Sequence, residues 1–388
     1  MDQTYPTWSG RLIMEDLSGI TVIAIEQALA APYTSGRMAE AGARVIKIER
    51  EEGDFARHYD NFVNGESAYF VWANAGKESI SLNLKEEKDA DLLRNLLESA
   101  DVLLQNLVPG ALHRLGFDLQ ELHQEHPSLI ICSVSGYGED GPYRDQKAYD
   151  LLIQAESGLC SITGTGDQLT RVGVSVSDIS AGMTAYQEIL QALFARERDP
   201  ERQGRIINVS LFQSTVDWMN VPFLQHHHGG FTPQNHGLKH PSIAPYGAFA
   251  CGDNKQILIS IQNEREWHRL CEIALKDPDL VKDERFSSST RRVENRELLD
   301  ARIGAAFKQF DRDTVIKKLS DAGIAYGRLS DLDDLAKHPQ VKFRNIEVAG
   351  SSIKLLARGA EVQGKPRKTL RLPKLGQDNE KIRREFSK

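Results

Sequence analysis

The sequence predicts an open, doubly wound α/β sheet followed by a smaller α+β domain. Three observations predict it. Over roughly the first 210 residues, apolar runs of strand length alternate with amphipathic helical stretches. Those runs are continuously apolar, as in parallel strands buried on both faces. Past about residue 220 the alternation breaks into a Gly-, Pro- and His-rich stretch and then shorter mixed elements.

Ile20–Ile25 (ITVIAI) reads as the first strand. Pro32 suits a first helical turn, and Tyr33–Ala41 continues as a helix that stops near Gly42. Arg44–Ile48 gives the second strand. Ser79–Asn83 alternates as a strand, Glu86–Ser99 is a helix with Leu92, Leu93, Leu96 and Leu97 inward, and Val102–Gln105 is a strand again. Pro109 opens a short helix and Leu129–Val134 is one more buried strand. Ser180–Arg196 forms a helix with Met183, Ile189, Leu190, Leu193 and Phe194 near one face. This is a large Rossmann-like domain over residues 1–220. The His-rich segment 226–245 reads as a long connection. A small α+β domain then covers 225–325, with strand runs in Phe249–Ile261 and helices at Glu264–Leu275, Arg296–Phe307 and Asp313–Ala322. Residues 326–388 are expected to return to the large domain and end in a helix.

Composition excludes several classes. Apolar residues make up 40% and charged residues 27%, a globular profile, and the net charge of −7 with mixed signs offers no broad basic face for nucleic acid or an anionic membrane. No apolar run approaches about 20 residues, so no membrane span is expected. Cys132, Cys160, Cys251 and Cys271 are far apart and form no CxxC pair, which argues against a disulfide framework or a zinc site. The N-terminal MDQTYPTWSGRLIMEDLSG has an early acid and no apolar core, unlike a signal peptide, so a cytoplasmic location is expected.

No glycine-rich phosphate loop follows the first strand, where the chain reads EQALAAP, so a dinucleotide enzyme is disfavoured. Gly164–Gly166 (GTG) reads as a turn. His226–His228 cannot all face one ion from a regular element, and no metal is expected; His236 and His240 share that loop. Arg50, Lys77, Arg114 and Lys147 all lie beside apolar strands or opening helices, near the sheet edge where α/β proteins bind ligands, and as a set they suit an anionic cofactor. One carboxylate, Asp178, stands inside VGVSVSDISAGM at a strand-to-helix joint. It suits an N-cap, and it equally suits a rigid carboxylate presented to a substrate. Local sequence leaves both open.

Six segments in order resemble the class III CoA-transferases, the family of formyl-CoA and carnitine CoA-transferases and α-methylacyl-CoA racemase. They are AAP…AGARVIKIER with GDFAR, NAGKESISLNLK, ADVLLQNLVPGALHRLGF, SGYGEDGPY, KAYDLLIQAESGL, and VGVSVSDISAGM followed by ALFARER. The resemblance implies that Asp178, in a D-x-x-x-G segment with Gly182, is the catalytic nucleophile. It carries CoA contacts onto Arg50, Leu84, Lys85, Asn106, Arg114 and Lys147, and an active-site tyrosine onto Tyr149. Gln27 and Leu29 fall where the formyl-CoA transferases place a histidine and an acyl-orienting glutamine, and no tetraglycine lid occurs in 225–270. The loop with His228, Lys239 and His240 is then expected to reach a short dicarboxylic acid. Ala148-Tyr149-Asp150 stands where the racemases carry a histidine, which favours transfer over α-proton abstraction.

The resemblance thus implies CoA transfer from an acyl-CoA, succinyl-CoA being the expected donor, to an acid such as itaconate, mesaconate or citramalate. It implies covalent catalysis through an aspartyl anhydride and an aspartyl-CoA thioester, coenzyme A as substrate with no permanently bound cofactor, and an interlocked homodimer. The alternatives are an acyl-CoA racemase or isomerase of the same fold and a non-catalytic acyl-CoA-binding protein.

Overall fold

The structure, a computed structural model, describes residues 15–233, 235, 237–362 and 369–387. The N-terminal stretch 1–14 and His236 lie outside the described residues. The chain divides into two compact units. The first holds residues up to Leu159, Arg171–Val221 and the chain from Lys342 onward; the second holds Cys160–Thr170 and Pro222–Val341. The second unit therefore reaches beyond the 225–325 read from sequence at its C-terminal end and takes in an earlier segment.

Six parallel strands form the larger sheet of the first unit: β1 (Thr21–Ile25), β2 (Arg44–Glu49), β3 (Glu78–Ser81), β4 (Val102–Gln105), β5 (Ile130–Ser135) and β8 (Ile206–Ser210). Their order is β3-β2-β1-β4-β5-β8, so it reverses between β1 and β4. In β1, Ile23 stands opposite Ile46 on one side and Leu103 on the other. Successive side chains alternate between two apolar layers, as the strand period of two requires. Val22, Ala24 and Leu104 join the layer containing Ala31, Met38, Ala181 and Ile189. Ile23, Ile25 and Leu103 join the one containing Leu92, Leu93, Leu96 and Leu97. Burial on both faces is why these strands read as unbroken apolar runs.

The helices of this unit are α1 (Ala30–Glu40), α2 (Ala68–Asn74), α3 (Glu87–Glu98), α4 (Ala111–Arg114), α5 (Leu119–Glu125), α6 (Asp150–Glu156), α7 (Val176–Arg198) and α8 (Leu211–Trp218). A C-terminal helix, Asn379–Phe386, buries Ile382 in the α3 layer, and the preceding Asp378 accepts the Ser79 N–H at 2.9 Å. In α7, Ile189 and Leu193 are buried as expected, but Met183 and Phe194 are more than half exposed. The buried face follows the small residues Ala181, Gly182, Ala185 and Ala192 instead.

The second unit contains a two-stranded hairpin, β6 (Gly164–Thr165) with β7 (Gln168–Leu169), and an antiparallel sheet of β9 (Tyr246–Ala250), β10 (Gln256–Ser260) and β11 (Ala325–Arg328). Its core includes Ile257, Ile259, Trp267, Phe286, Ile303 and Leu319. The expected helix Glu264–Leu275 is α-helical only to Arg269 and continues as a π-turn, Leu270–Leu275. His226 and His227 end a helix, Asn220–His227, rather than lying in a connection.

The closest approach beneath the candidate nucleophile is between α1 and α7. A Cβ at Gly182 would lie 2.7 Å from the Ala30 carbonyl oxygen and 2.9 Å from Tyr33, and the Thr34 hydroxyl donates to the Gly182 carbonyl at 3.0 Å. The nearest of these atoms is a backbone oxygen, which cannot yield by changing rotamer. Gly182→Ala is therefore expected to lower stability by about 1–3 kcal/mol, the usual cost of overpacking, which a denaturant melt against the wild type measures.

Candidate active site

Ligands of doubly wound sheets bind beyond the carboxyl ends of the strands where the order reverses. At that point Asn106 bridges the two strands. Its Oδ1 accepts the Gln27 N–H at 2.9 Å and its Nδ2 donates to the Gln27 carbonyl at 2.8 Å. Both ends of the Asn106 amide are thus engaged in holding the loop after β1. A cavity of about 450 Å³ opens beside it, lined by Gln27, Arg50, Leu82, Asn83, Leu84, Lys85, Leu107 and Leu115 among others. Gln27, Arg50, Leu84 and Lys85 are four of the predicted site residues, brought to one place from the ends of three strands.

The floor of this cavity is ionic. Lys47 and Lys77, with fully buried side chains, flank Glu26 and Asp54. Lys77 donates to Glu26 at 2.6 Å, to Asn74 at 2.8 Å and to the Pro32 carbonyl at 2.9 Å. Burial pulls its ammonium down to about 8, partly countered by Glu26. Burial alone would raise Glu26, yet Lys77 and Lys47 outweigh it and hold its carboxyl below the usual range. Lys77 is therefore a structural cation and not the phosphate contact that its place beside a strand suggested.

Asp178 is the third residue of α7, not its cap; Ser175 occupies the cap position. The physical reason is that a neighbouring element already serves that end of the helix. Buried Asp150, the first residue of α6, accepts the Ser177 N–H at 2.8 Å through Oδ1 and the Gln154 amide at 2.7 Å through Oδ2. Gln154 in turn accepts the Val172 N–H at 2.8 Å, tying down the segment before α7. The Asp178 carboxyl is left with no hydrogen bond or ion pair among the described residues. Burial, and then the negative charge of Asp150, push it from 3.8 up to about 7. The positive end of the helix works in the opposite direction but does not prevail.

Around this carboxyl stand phenols that sequence reasoning missed. Burial, then the charges of Asp54 and Asp178 and the phenols of Tyr149 and Tyr69, push Tyr59 up to about 12. Tyr59 packs edge-on against Tyr69 with ring centroids 5.6 Å apart, and the Tyr69 hydroxyl lies 3.2 Å from the Ser175 hydroxyl. Tyr149 caps α6 and is exposed. A signal existed: Tyr59 lies two residues past GDFAR, on the carboxyl side of β2.

Leu29 is buried against Tyr33 and Ala73, with Ile179 beside them, so its side chain supports the site from below. Arg114 and Lys147 are exposed and do not line the cavity. In the second unit, His228 is exposed, and its ring meets that of His227 edge-on. His240 stacks on Tyr246 and is held below its ordinary pKa by burial and Arg296. Lys239 is already paired with Asp300 at 2.8 Å.

The raised Asp178 carries a stability consequence. The folded chain binds this proton more tightly than the unfolded one, so the stability it contributes is full below about pH 4 and is lost as pH rises through 7. Asp178→Asn removes the titration. Urea melts from pH 4 to 8 are expected to show the variant gaining on the wild type across that window, by up to a few kcal/mol, with no further change above it.

The sequence profile of CoA-transferase family III matches residues 17–379. Acetyl-CoA:oxalate CoA-transferase of Acetobacter aceti is 34% identical over 95% of both chains. Succinyl-CoA:glutarate CoA-transferase of Mus musculus is 32% identical over 86% of this chain and 78% of that protein. A solved CAIB/BAIF family protein from Brucella suis superposes with a TM-score of 0.82 at 30% identity, covering 96% of this chain and 99% of that one. With a parallel sheet, a ligand edge and a fold matched along nearly the whole length, the chain belongs to CoA-transferase family III.

Proposed function

We propose that the protein moves CoA from an acyl-CoA thioester, with succinyl-CoA as the best-supported donor, to a short dicarboxylic acid. The observation that carries this reading is the unpaired Asp178 carboxyl, poised near neutrality at the head of α7. Relatives whose names specify oxalate, glutarate, mesaconate and citramalate support the acceptor class.

In the proposed cycle the Asp178 carboxylate attacks the donor thioester carbonyl, forming a mixed anhydride and releasing CoA thiolate. The thiolate attacks the Asp178 carbonyl of that anhydride, giving an aspartyl-CoA thioester and the free donor acid. The acceptor carboxylate attacks the thioester to form a second anhydride and thiolate again. The thiolate then takes the acceptor acyl group and frees Asp178. Each exchange is divided into steps through an activated carboxyl. An incompletely solvated carboxylate is a stronger nucleophile than a hydrated one, and a Tyr59 phenol that stays protonated is suited to donate a hydrogen bond to developing negative charge. We further propose that two chains form a homodimer, for which exposed Leu151, Leu152, Met183, Phe194 and Trp218 on α6–α8 supply apolar surface.

Transfer is favoured over racemisation because Tyr149 stands where the racemases carry a histidine. Asp178→Ala and Asp178→Asn are expected to lose more than about a thousandfold in transfer while still binding CoA. Succinyl-CoA with hydroxylamine should leave an adduct at Asp178 detectable by mass spectrometry. Near-native transfer by either variant, or α-deuterium exchange without any need for a second acid, would overturn the assignment.

A further inference from the structure

The GDFAR signature has so far been given no task, yet its aspartate is among the most constrained groups in the chain. Asp54 is buried with a solvent-free side chain. Its Oδ1 accepts two backbone N–H groups, Ala28 at 3.0 Å and Ala56 at 2.9 Å, while Oδ2 accepts from Lys47 at 2.9 Å. Ala28 has φ of +64°, a left-handed conformation that residues with a Cβ rarely adopt. The next residue, Leu29, caps α1, and Ala30 and Thr34 of α1 are the groups that meet Gly182 of α7. Through Ala56, the same carboxylate caps the short turn Phe55–His58 that ends at Tyr59.

We propose that Asp54 is a positioning residue for the nucleophile. One oxygen fixes the left-handed Ala28 turn, and with it the start of α1 against which α7 and Asp178 are seated. The same oxygen fixes the turn that presents Tyr59. The other oxygen, on Lys47, keeps the carboxylate aimed. Both walls beside Asp178 thus hang on one side chain that touches no substrate. The inference rests on the transfer reading above only for its kinetic readout.

Asparagine tests it because the group needs two acceptor oxygens and an amide has one. With that oxygen drawn to Lys47, the NH2 of Asp54→Asn faces the Ala28 and Ala56 N–H groups, and the turn loses its anchor while volume is kept. The expected result is a folded variant whose turnover falls about tenfold or more, as small misplacements of a reacting group produce, with KM for the acyl-CoA changed less than about threefold. Adding Ala28→Gly, which adopts positive φ without cost, is expected to restore turnover at least threefold in Asp54→Asn, with no comparable gain in the wild-type background. Asp54→Ala with and without Ala28→Gly repeats the comparison in a side chain with no polar group. A merely structural role predicts lost stability that glycine does not recover. Wild-type turnover in Asp54→Asn, or a loss that glycine leaves unchanged, overturns the proposal. A crystal structure of Asp54→Asn gives a readout free of activity: Ala28 leaving positive φ supports the proposal, and an unmoved turn overturns it. If the wild-type chain transfers CoA to no acid, the functional reading fails by itself, and the Ala28 conformation still decides this one.

Discussion

Two lysines and two carboxylates removed from water at the ends of β1 and β2 are the constraint on which the site is built. Burying such charges singly is prohibitive, and even as pairs they offer little net stability over an apolar core. What they provide is uniqueness. Lys77 reaches from the start of β3 to Glu26 and the α1 backbone, and Lys47 reaches from β2 to Glu26 and Asp54. Any slip of one strand end or of the loop after β1 would leave a charge without its partner, at a cost of several kcal/mol. The ligand edge of the sheet is thereby confined to one arrangement.

In the same unit the Asp178 carboxyl is left without a hydrogen bond or ion pair among the described residues. Several groups that could stabilise its negative charge are occupied elsewhere. The Ser177 N–H goes to Asp150, and the buried lysines go to Glu26 and Asp54. The Ser177 hydroxyl is itself buried without a partner. Of the three influences on Asp178, desolvation and the Asp150 charge together outweigh the helix dipole, whose contribution at a first turn is at most about 2 kcal/mol. A carboxylate held in this way binds an acyl group more readily than one already matched with a cation.

The sheet was legible because parallel strands buried on two faces leave apolar runs that nothing else in the chain imitates. β1, β2, β4 and β5 fall within a residue or so of their expected ends. The assignments that failed depend on partners distant in sequence. Local sequence left Asp178 open between a cap and a presented carboxylate because the cap competitor, Asp150, sits 28 positions earlier and reaches the helix only in three dimensions. Lys77 looked like a cofactor contact because its acceptors come from the end of β1, from α1 and from α2. The inward placement of Met183 and Phe194 followed the preference for large apolar residues, whereas a helix that must approach another closely buries its small ones. Residue types in the D-x-x-x-G and GDFAR segments carried the chemistry; spacing alone did not reveal Tyr59 and Tyr69, whose roles arise from the fold of the turn between β2 and α2.

The contact of α1 with α7 at Gly182 is made by the Ala30 carbonyl, the Tyr33 ring and the Thr34 hydroxyl, all on α1, against a residue with no side chain. The height at which α7 rides on α1 is consequently set by the size of residue 182, and any larger residue there would lift the first turn of the helix and Asp178 with it. Exchanges at the exposed rings of Tyr59, Tyr69 and Tyr149 leave that contact untouched.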